Sequence, residues 1–357
     1  MNKPTSRLRL LAIALLACAL ALPAQAGDKK SFKFAWSLYA GFMPWVYAEQ
    51  SGILKKWADR YGIEIELTQF NDYIESINQY TAGEFDGVLA TNMDALTIPA
   101  AGGVDTTVLI LGDYSNGNDA VVLKGKDRKL ADLKGLKVSL VELSVSHYLL
   151  GRALASAGLT EADIKTENIS DADYVPVWNA AETLAITAWK PGLSQIEAAP
   201  DASVVFDSSR IPGEIMDVGI VNTATLRANP DFGKALVGAW YETLAAMRGD
   251  GATAKAARTV MAEASGTDLA GYDTQLATTY LYYDPAEAAA FLRDPKLATI
   301  MGLVGTFAFE HGLLGEDAPS RDVIGIELPG GATLGDKANV KLRFDAEYTA
   351  LAADGKL

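Results

Sequence analysis

Apolar positions along this chain alternate between two rhythms. Residues 32–36 read as a strand, and Ile63, Ile65 and Leu67 alternate with Glu64 and Glu66 at the period-two spacing of a half-buried strand. Tyr73, Ile74, Ile77 and Tyr80 follow at helical spacing up to Gly83. A helix is predicted over 44–61, with Pro44 near its start and Gly62 at its end. A short buried strand at 87–90, a helix at 93–101 and a strand at 107–111 complete a series of strand–helix units, which implies a parallel sheet covered by helices on both faces. The same grammar restarts with strands at 120–123, 137–141 and 185–189 and a helix at 146–157. It closes near 204–206, and a strand at 217–221 returns to the first lobe. Two crossings, near 114–120 and 207–217, would form a hinge. From residue 230 onward the pattern is helical, with Leu236, Val237, Trp240, Leu244 and Met247 on one core-facing stripe and further helices at 254–264, 284–292 and 295–311. Residues 328–335, rich in Gly, read as an exposed turn. The expected architecture is α/β: residues 27–117 and 212–357 form one lobe with C-terminal helices packed on it, and 118–211 form the other.

The N-terminus differs from this pattern. Lys3, Arg7 and Arg9 precede an apolar run over 10–22 that is short for a bilayer span, and Ala24-Gln25-Ala26 offers a small-x-small cleavage site. Residues 1–26 are therefore expected to be a signal peptide that sends the protein to the periplasm. Lipidation at Cys18 is the weaker reading, because cleavage there would leave an apolar tether. No later stretch reaches the length a transmembrane helix needs.

Composition narrows the chemistry. The 357 residues are 49% hydrophobic and 21% charged, enough for a sizeable core and two domains. With 31 Lys and Arg against 45 Asp and Glu the net charge is −14, which argues against a nucleic-acid partner. Two histidines and one cysteine provide little material for a zinc site, a disulfide framework or a histidine triad, although carboxylate chemistry, and with it a secreted carboxylate-based hydrolase, stays open as a minor alternative; the expectation is a binder with no metal, cofactor or catalytic residue. His147, inside a helix, and His311, near a helix C-terminus, are expected to be structural, and Glu161 in the loop after Gly158 a bystander.

In open α/β sheets ligands sit beyond the carboxyl ends of the strands. Trp36, Ser37 and Tyr39 follow the first predicted strand, and Asn92 and Asp94 the third; Glu142 and Ser144 follow a strand of the second lobe. Trp189 closes another strand there, with Lys190 as the lone cation among these loops, and Asp217 opens the returning strand. The candidate ligand-binding set is Trp36, Tyr39, Asn92, Asp94, Glu142, Ser144, Trp189 and Asp217. Carboxylates and aromatic faces together suit a small cation. Against this, Asp94 and Glu142 also read as ordinary first-turn acids, Asp217 as a hinge acid, and Trp45 as core.

Five short elements carry a family resemblance: Ala-Glu-Gln-Ser-Gly-Ile-Leu-Lys-Lys within 45–56, Ala-Gly-Glu-Phe-Asp-Gly at 82–87, Asp-Leu-Lys-Gly-Leu-Lys-Val at 132–138, Ala-Trp-Lys-Pro at 188–191 and Ile-Pro-Gly-Glu-Ile-Met-Asp-Val at 211–218. In order and spacing the chain resembles an ABC-transporter substrate-binding protein of the nitrate/sulfonate/taurine type. Thr91-Asn92-Met93-Asp94-Ala95-Leu96, with the aromatic loop at 36–39, is similar to the urea-carboxylase-associated branch. The resemblance implies a periplasmic binding protein-like fold, a monomer that closes on a small solute, and a membrane permease as partner. Nitrate or sulfonate would want Arg, Lys or bare N–H groups, whereas guanidinium, a planar cation with N–H donors only, suits the acids here. Urea fits in shape, but its oxygen needs a donor. The same fold hosts thiamine-pyrimidine synthases, which depend on a cysteine-rich element that this chain lacks.

Overall fold

The computed structural model describes residues 29–315 and 317–357. The expected signal segment and Cys18 lie outside them. Two sheets organise the chain. The larger is built from β1 (Ser31–Ser37), β2 (Glu64–Phe70), β3 (Gly87–Thr91), β4 (Thr106–Ser115), β10 (Met216–Asn222), β11 (Thr279–Leu281), β12 (Gly325–Glu327), β13 (Thr333–Leu334) and β14 (Val340–Phe344). Its order is β13-β12-β14-β4-β10-β3-β1-β2, with β11 paired to β4. The smaller holds β5 (Asp119–Lys124), β6 (Lys137–Leu140), β7 (Lys165–Asn168), β8 (Ala185–Trp189) and β9 (Ala202–Asp207), in the order β7-β6-β8-β5-β9.

The sheets are mixed rather than parallel. β1 runs parallel to β2 and β3, but β10 is antiparallel to both β3 and β4. The geometry follows from the connections. The chain leaves the large sheet at the end of β4 and re-enters it through β10, so a strand entering where another has left must run the opposite way. β5 is antiparallel to β8 and β9 for the same reason. In consequence the ends of β1, β3, β4 and β8 and the starts of β5 and β10 share one border.

Three local expectations need correcting. The helix expected over 44–61 is two, Pro44–Gln50 and Ile53–Arg60, because Gly52 adopts φ 78° between them. That left-handed turn is cheap only for glycine. The region beyond residue 230 is not all helical: β11 to β14 extend the large sheet, and 328–335 contains β13. Short strands of two to five residues offer too few alternations to register as a period. The helices Pro230–Met247, Ala252–Ala264, Pro285–Leu292 and Pro295–Glu310 do form. The Pro230–Met247 stripe is buried, and Trp240 meets Trp45 and the latter Phe34 at ring separations of 5.5 and 5.2 Å. Among the described residues no helix is long and apolar enough to cross a membrane.

Candidate functional site

The shared border carries a small cavity, lined among others by Tyr39, Tyr73, Asp119, Val145, Trp189 and Asp217. It leaves about 20 Å³ to the centres of water molecules. That is little more than one water requires, so only a compact ligand fits without opening. Residues from both sheets surround it. Asp119, the first residue of β5, is in register with Trp189 at the end of β8. Asp217 in β10 is in register with both Thr91 and Asp113.

A β-bulge aims this last pair. Asp217 faces Asp113 while Val218 faces Leu111, so Gly112 is the extra residue. The bulge turns the Asp113 carboxylate towards Tyr39, whose hydroxyl donates to it at 3.0 Å. Gly41 closes over the same carboxylate, and a Cβ there would overlap the Asp113 carboxylate and the Tyr39 ring. Gly41→Ala is expected to lower unfolding stability by roughly 1–3 kcal/mol, the usual cost of overpacking. Denaturant titration reads this directly, and an unchanged midpoint would show that the loop moves aside freely.

The second acidic position sits behind an aromatic wall. Tyr73 O–H donates to Asp94 Oδ2 at 2.7 Å, Thr91 Oγ1 donates to the same oxygen at 2.8 Å, and the Thr91 N–H donates to the Tyr73 hydroxyl at 2.8 Å. Trp189 stands edge-on to Tyr73 and Tyr174, at 5.5 and 5.1 Å.

Four acids, Asp94, Asp113, Asp119 and Asp217, are buried within this region. Burial is the main cause of their altered acidity. It pushes Asp94 up to about 6 despite the bonds from Tyr73 and Thr91. Asp119 is also raised by burial to about 6, against the lowering effect of the Ser115 hydrogen bond and of Lys190. Asp113 rises by burial to about 7, and Asp217 is raised well above the ordinary range by burial and by the charges of Asp113 and Asp119. Adjacent buried carboxylates cannot all ionise in a low dielectric, so the free cleft retains protons. Lys190 acts on Asp119 only from a distance, since its Nζ turns to Thr278 Oγ1 at 3.1 Å and Glu197 Oε2 at 3.5 Å.

Of the residues expected from sequence, Tyr39, Trp189 and Asp217 line the cavity. Asp94 is reached through Tyr73. Trp36 is buried in the core beside this border, outside the lining. Asn92 ties the entry of β10, accepting from Met216 N–H at 3.0 Å and donating to Glu214 O at 3.2 Å. Ser144 caps the helix Val145–Ser156. Glu142 is half-buried outside the lining, its N–H bonded to Asn168 Oδ1 at 2.9 Å. Sequence reasoning passed over Asp113, Asp119 and Tyr73. The search took residues after each strand, whereas Asp119 opens an antiparallel strand whose start lies at the same border.

The match to known proteins is broad. A family model described as the NMT1-like family matches residues 26–264. The taurine-binding periplasmic protein of Escherichia coli (strain K12) is 22% identical over 183 residues, covering 50% of this chain and 56% of that protein. The chain thus matches little more than half the length of that relative. The alkanesulfonate-binding protein SsuA from Xanthomonas axonopodis pv. citri, bound to MOPS, is similar in structure with a TM-score of 0.66 at 18% identity, over 83% of this chain and 96% of that one. The periplasmic nitrate-binding protein NrtA from Synechocystis PCC 6803 gives 0.58 at 14% identity, over 92% and 99%. Likeness at this level establishes a periplasmic binding protein fold.

Proposed function

The chain belongs to the NMT1-like family, and on that premise we propose that it is the periplasmic solute-binding component of an ABC importer, taking a small planar cation, guanidinium first. It works as a monomer without cofactor or turnover and hands its solute to a membrane permease. The lobes 27–117 with 212–357, and 118–211, close on the ligand. The observation that carries this reading is the set of buried acids, with Asp119 and Asp217 facing the cavity beside Tyr39 and Trp189. An entering cation restores the charge that burial suppresses, and its N–H donors match the carboxylates with charge-assisted bonds while the aromatic rings cover its face. An inorganic anion would meet the same acids unfavourably. Urea, being neutral, forms no salt bridge with these acids, and its oxygen finds a donor only where one of them keeps its proton.

The match to a taurine-binding protein favours a second reading, because taurine carries an ammonium as well as a sulfonate. Its ammonium would meet the acids, and its sulfonate the start of the helix Val145–Ser156. The small cavity speaks against it.

Calorimetric titration with guanidinium, urea, nitrate and taurine separates these readings. Saturable one-to-one heat with guanidinium, and at least tenfold weaker binding of the other three, is expected. Tighter binding of taurine or nitrate would overturn the cation reading.

A further inference from the structure

A second cluster lies on the far side of the helix whose first residue faces the cleft. His147 belongs to the helix Val145–Ser156, Glu161 opens the short turn Glu161–Asp163, and His311 follows the helix Pro295–Glu310. The structure thus places both histidines of the chain together, against the expectation that each stands alone as a structural residue. His311 Nε2 is 2.7 Å from Glu161 Oε1, and His147 Nε2 is 3.3 Å from the same oxygen. The three ligand-type atoms lie within 4.8 Å of one another. Phe307 stacks on His311 at 3.9 Å and meets His147 edge-on at 5.8 Å, which fixes both rings.

Two details of bonding single this cluster out. His147 is only 5% exposed, yet its Nε2 has nothing but the 3.3 Å contact with Glu161 Oε1, which is not aligned as a full hydrogen bond, an arrangement that buried polar atoms avoid. His311 Nδ1 lies 2.8 Å from the Phe307 carbonyl oxygen. The Phe307 carbonyl accepts from Nδ1–H, so with an ion bound the Nε2 proton is given up and its lone pair meets the metal beside Glu161, the second-shell arrangement of metal-bound imidazoles.

We propose that His147, Glu161 and His311 form a divalent-metal site of zinc type, with two nitrogens and one oxygen from the protein and a further position open to the adjoining groove. That groove is lined by Thr160, Thr306 and Glu310 among others. Zinc bonds of about 2.0–2.2 Å place tetrahedral ligand atoms roughly 3.3 Å apart. The His147 contact already has this spacing, and the His311 contact must open slightly. Filling the site has one identifiable cost. His147 Nδ1 accepts the Leu143 N–H at 3.1 Å, so occupancy moves the ring proton to Nδ1 and releases that bond. Leu143 sits in an exposed turn at φ 61°, where its N–H can turn to water.

The metal would tie the end of the helix Pro295–Glu310 to the helix that starts with the cavity residue Val145. It is a separate site from the cleft and needs no solute.

The test uses full-length, tag-free protein stripped with a chelator, titrated with Zn²⁺ by calorimetry and with Co²⁺ by visible absorption. One equivalent of Zn²⁺ and a tetrahedral Co²⁺ band are expected. His147→Gln, Glu161→Gln and His311→Gln should each weaken Zn²⁺ binding at least about tenfold. No binding by the wild type, or undiminished binding in the Glu161 and His311 variants, overturns the site. Binding retained in a folded His147→Gln alone overturns the three-ligand arrangement. Should that buried variant fail to fold, the more exposed Glu161 and His311 decide the matter.

Discussion

Asp119→Asn is expected to weaken guanidinium binding by two orders of magnitude or more. The closed cavity strips water from ligand and acid together, so the loss of one charge leaves the other partner buried and uncompensated. The corresponding loss in buried ion pairs is about 3–5 kcal/mol, which exceeds a hundredfold in affinity. Asparagine keeps the shape of the side chain, so the effect isolates charge. Asp217→Asn should behave similarly, although part of its cost is relieved because Asp113 beside it can then ionise. Glu142→Gln provides the contrast: the sequence weights it with Asp94, but its half-buried position outside the cavity predicts less than about a tenfold change. If Asp119→Asn and Asp217→Asn both keep wild-type affinity while folded by circular dichroism, the acids are scaffolding and the aromatic wall carries recognition.

With rising pH the free protein should lose stability while its affinity for the cation rises. A carboxylic acid raised in the folded state binds more protons folded than unfolded. It therefore contributes stability below the unfolded value near 4, and that contribution is lost as pH rises through the folded value. With Asp94 and Asp119 at about 6 and Asp113 at about 7, the free protein loses stability between about pH 4 and 7. A cation binds the ionised acids, so its affinity rises over the upper part of this window. One displaced proton corresponds to at most about tenfold per pH unit, and for Asp119 at about 6 to roughly tenfold in all between pH 5 and 7. Thermal unfolding of the free protein tests the first trend, and calorimetric titration with guanidinium at pH 5 and pH 7 tests the second. A pH-independent affinity would mean that the ligand does not engage these carboxylates.

Much of the fold was legible because its central strands are buried on both faces and several of its helices are bounded by glycine or proline. Strands at 87–91 and 185–189 and helices at 145–156 and 295–310 lie within a residue or two of their expected spans. The direction of β10 was not legible, since apolar content carries no sign of which way a strand runs. The acids illustrate the same limit. Asp94 and Asp217 stand beside recognisable strands, whereas Asp119 has meaning only once β5 is known to run against β8. Asp113 becomes a site residue through the Gly112 bulge, an offset in pairing that leaves no trace in one strand's sequence. The histidine cluster is legible only in three dimensions, because its two imidazoles stand 164 positions apart in the chain.

The way the chain passes between sheets has a further result. Only Asn116, Gly117 and Asn118 separate β4 from β5, so Asp113 and Asp119 flank the crossing itself. Ser115 Oγ donates to Asp119 and lies 2.7 Å from the Ser208 hydroxyl at the other crossing, to which Gly117 N–H also donates at 2.7 Å. On the proposed closure of the lobes about these crossings, recognition and bending would draw on one set of atoms. A substitution selected to admit a different solute would change how fast the protein lets go of it, and an engineered sensor could not be retuned in selectivity while keeping its response time.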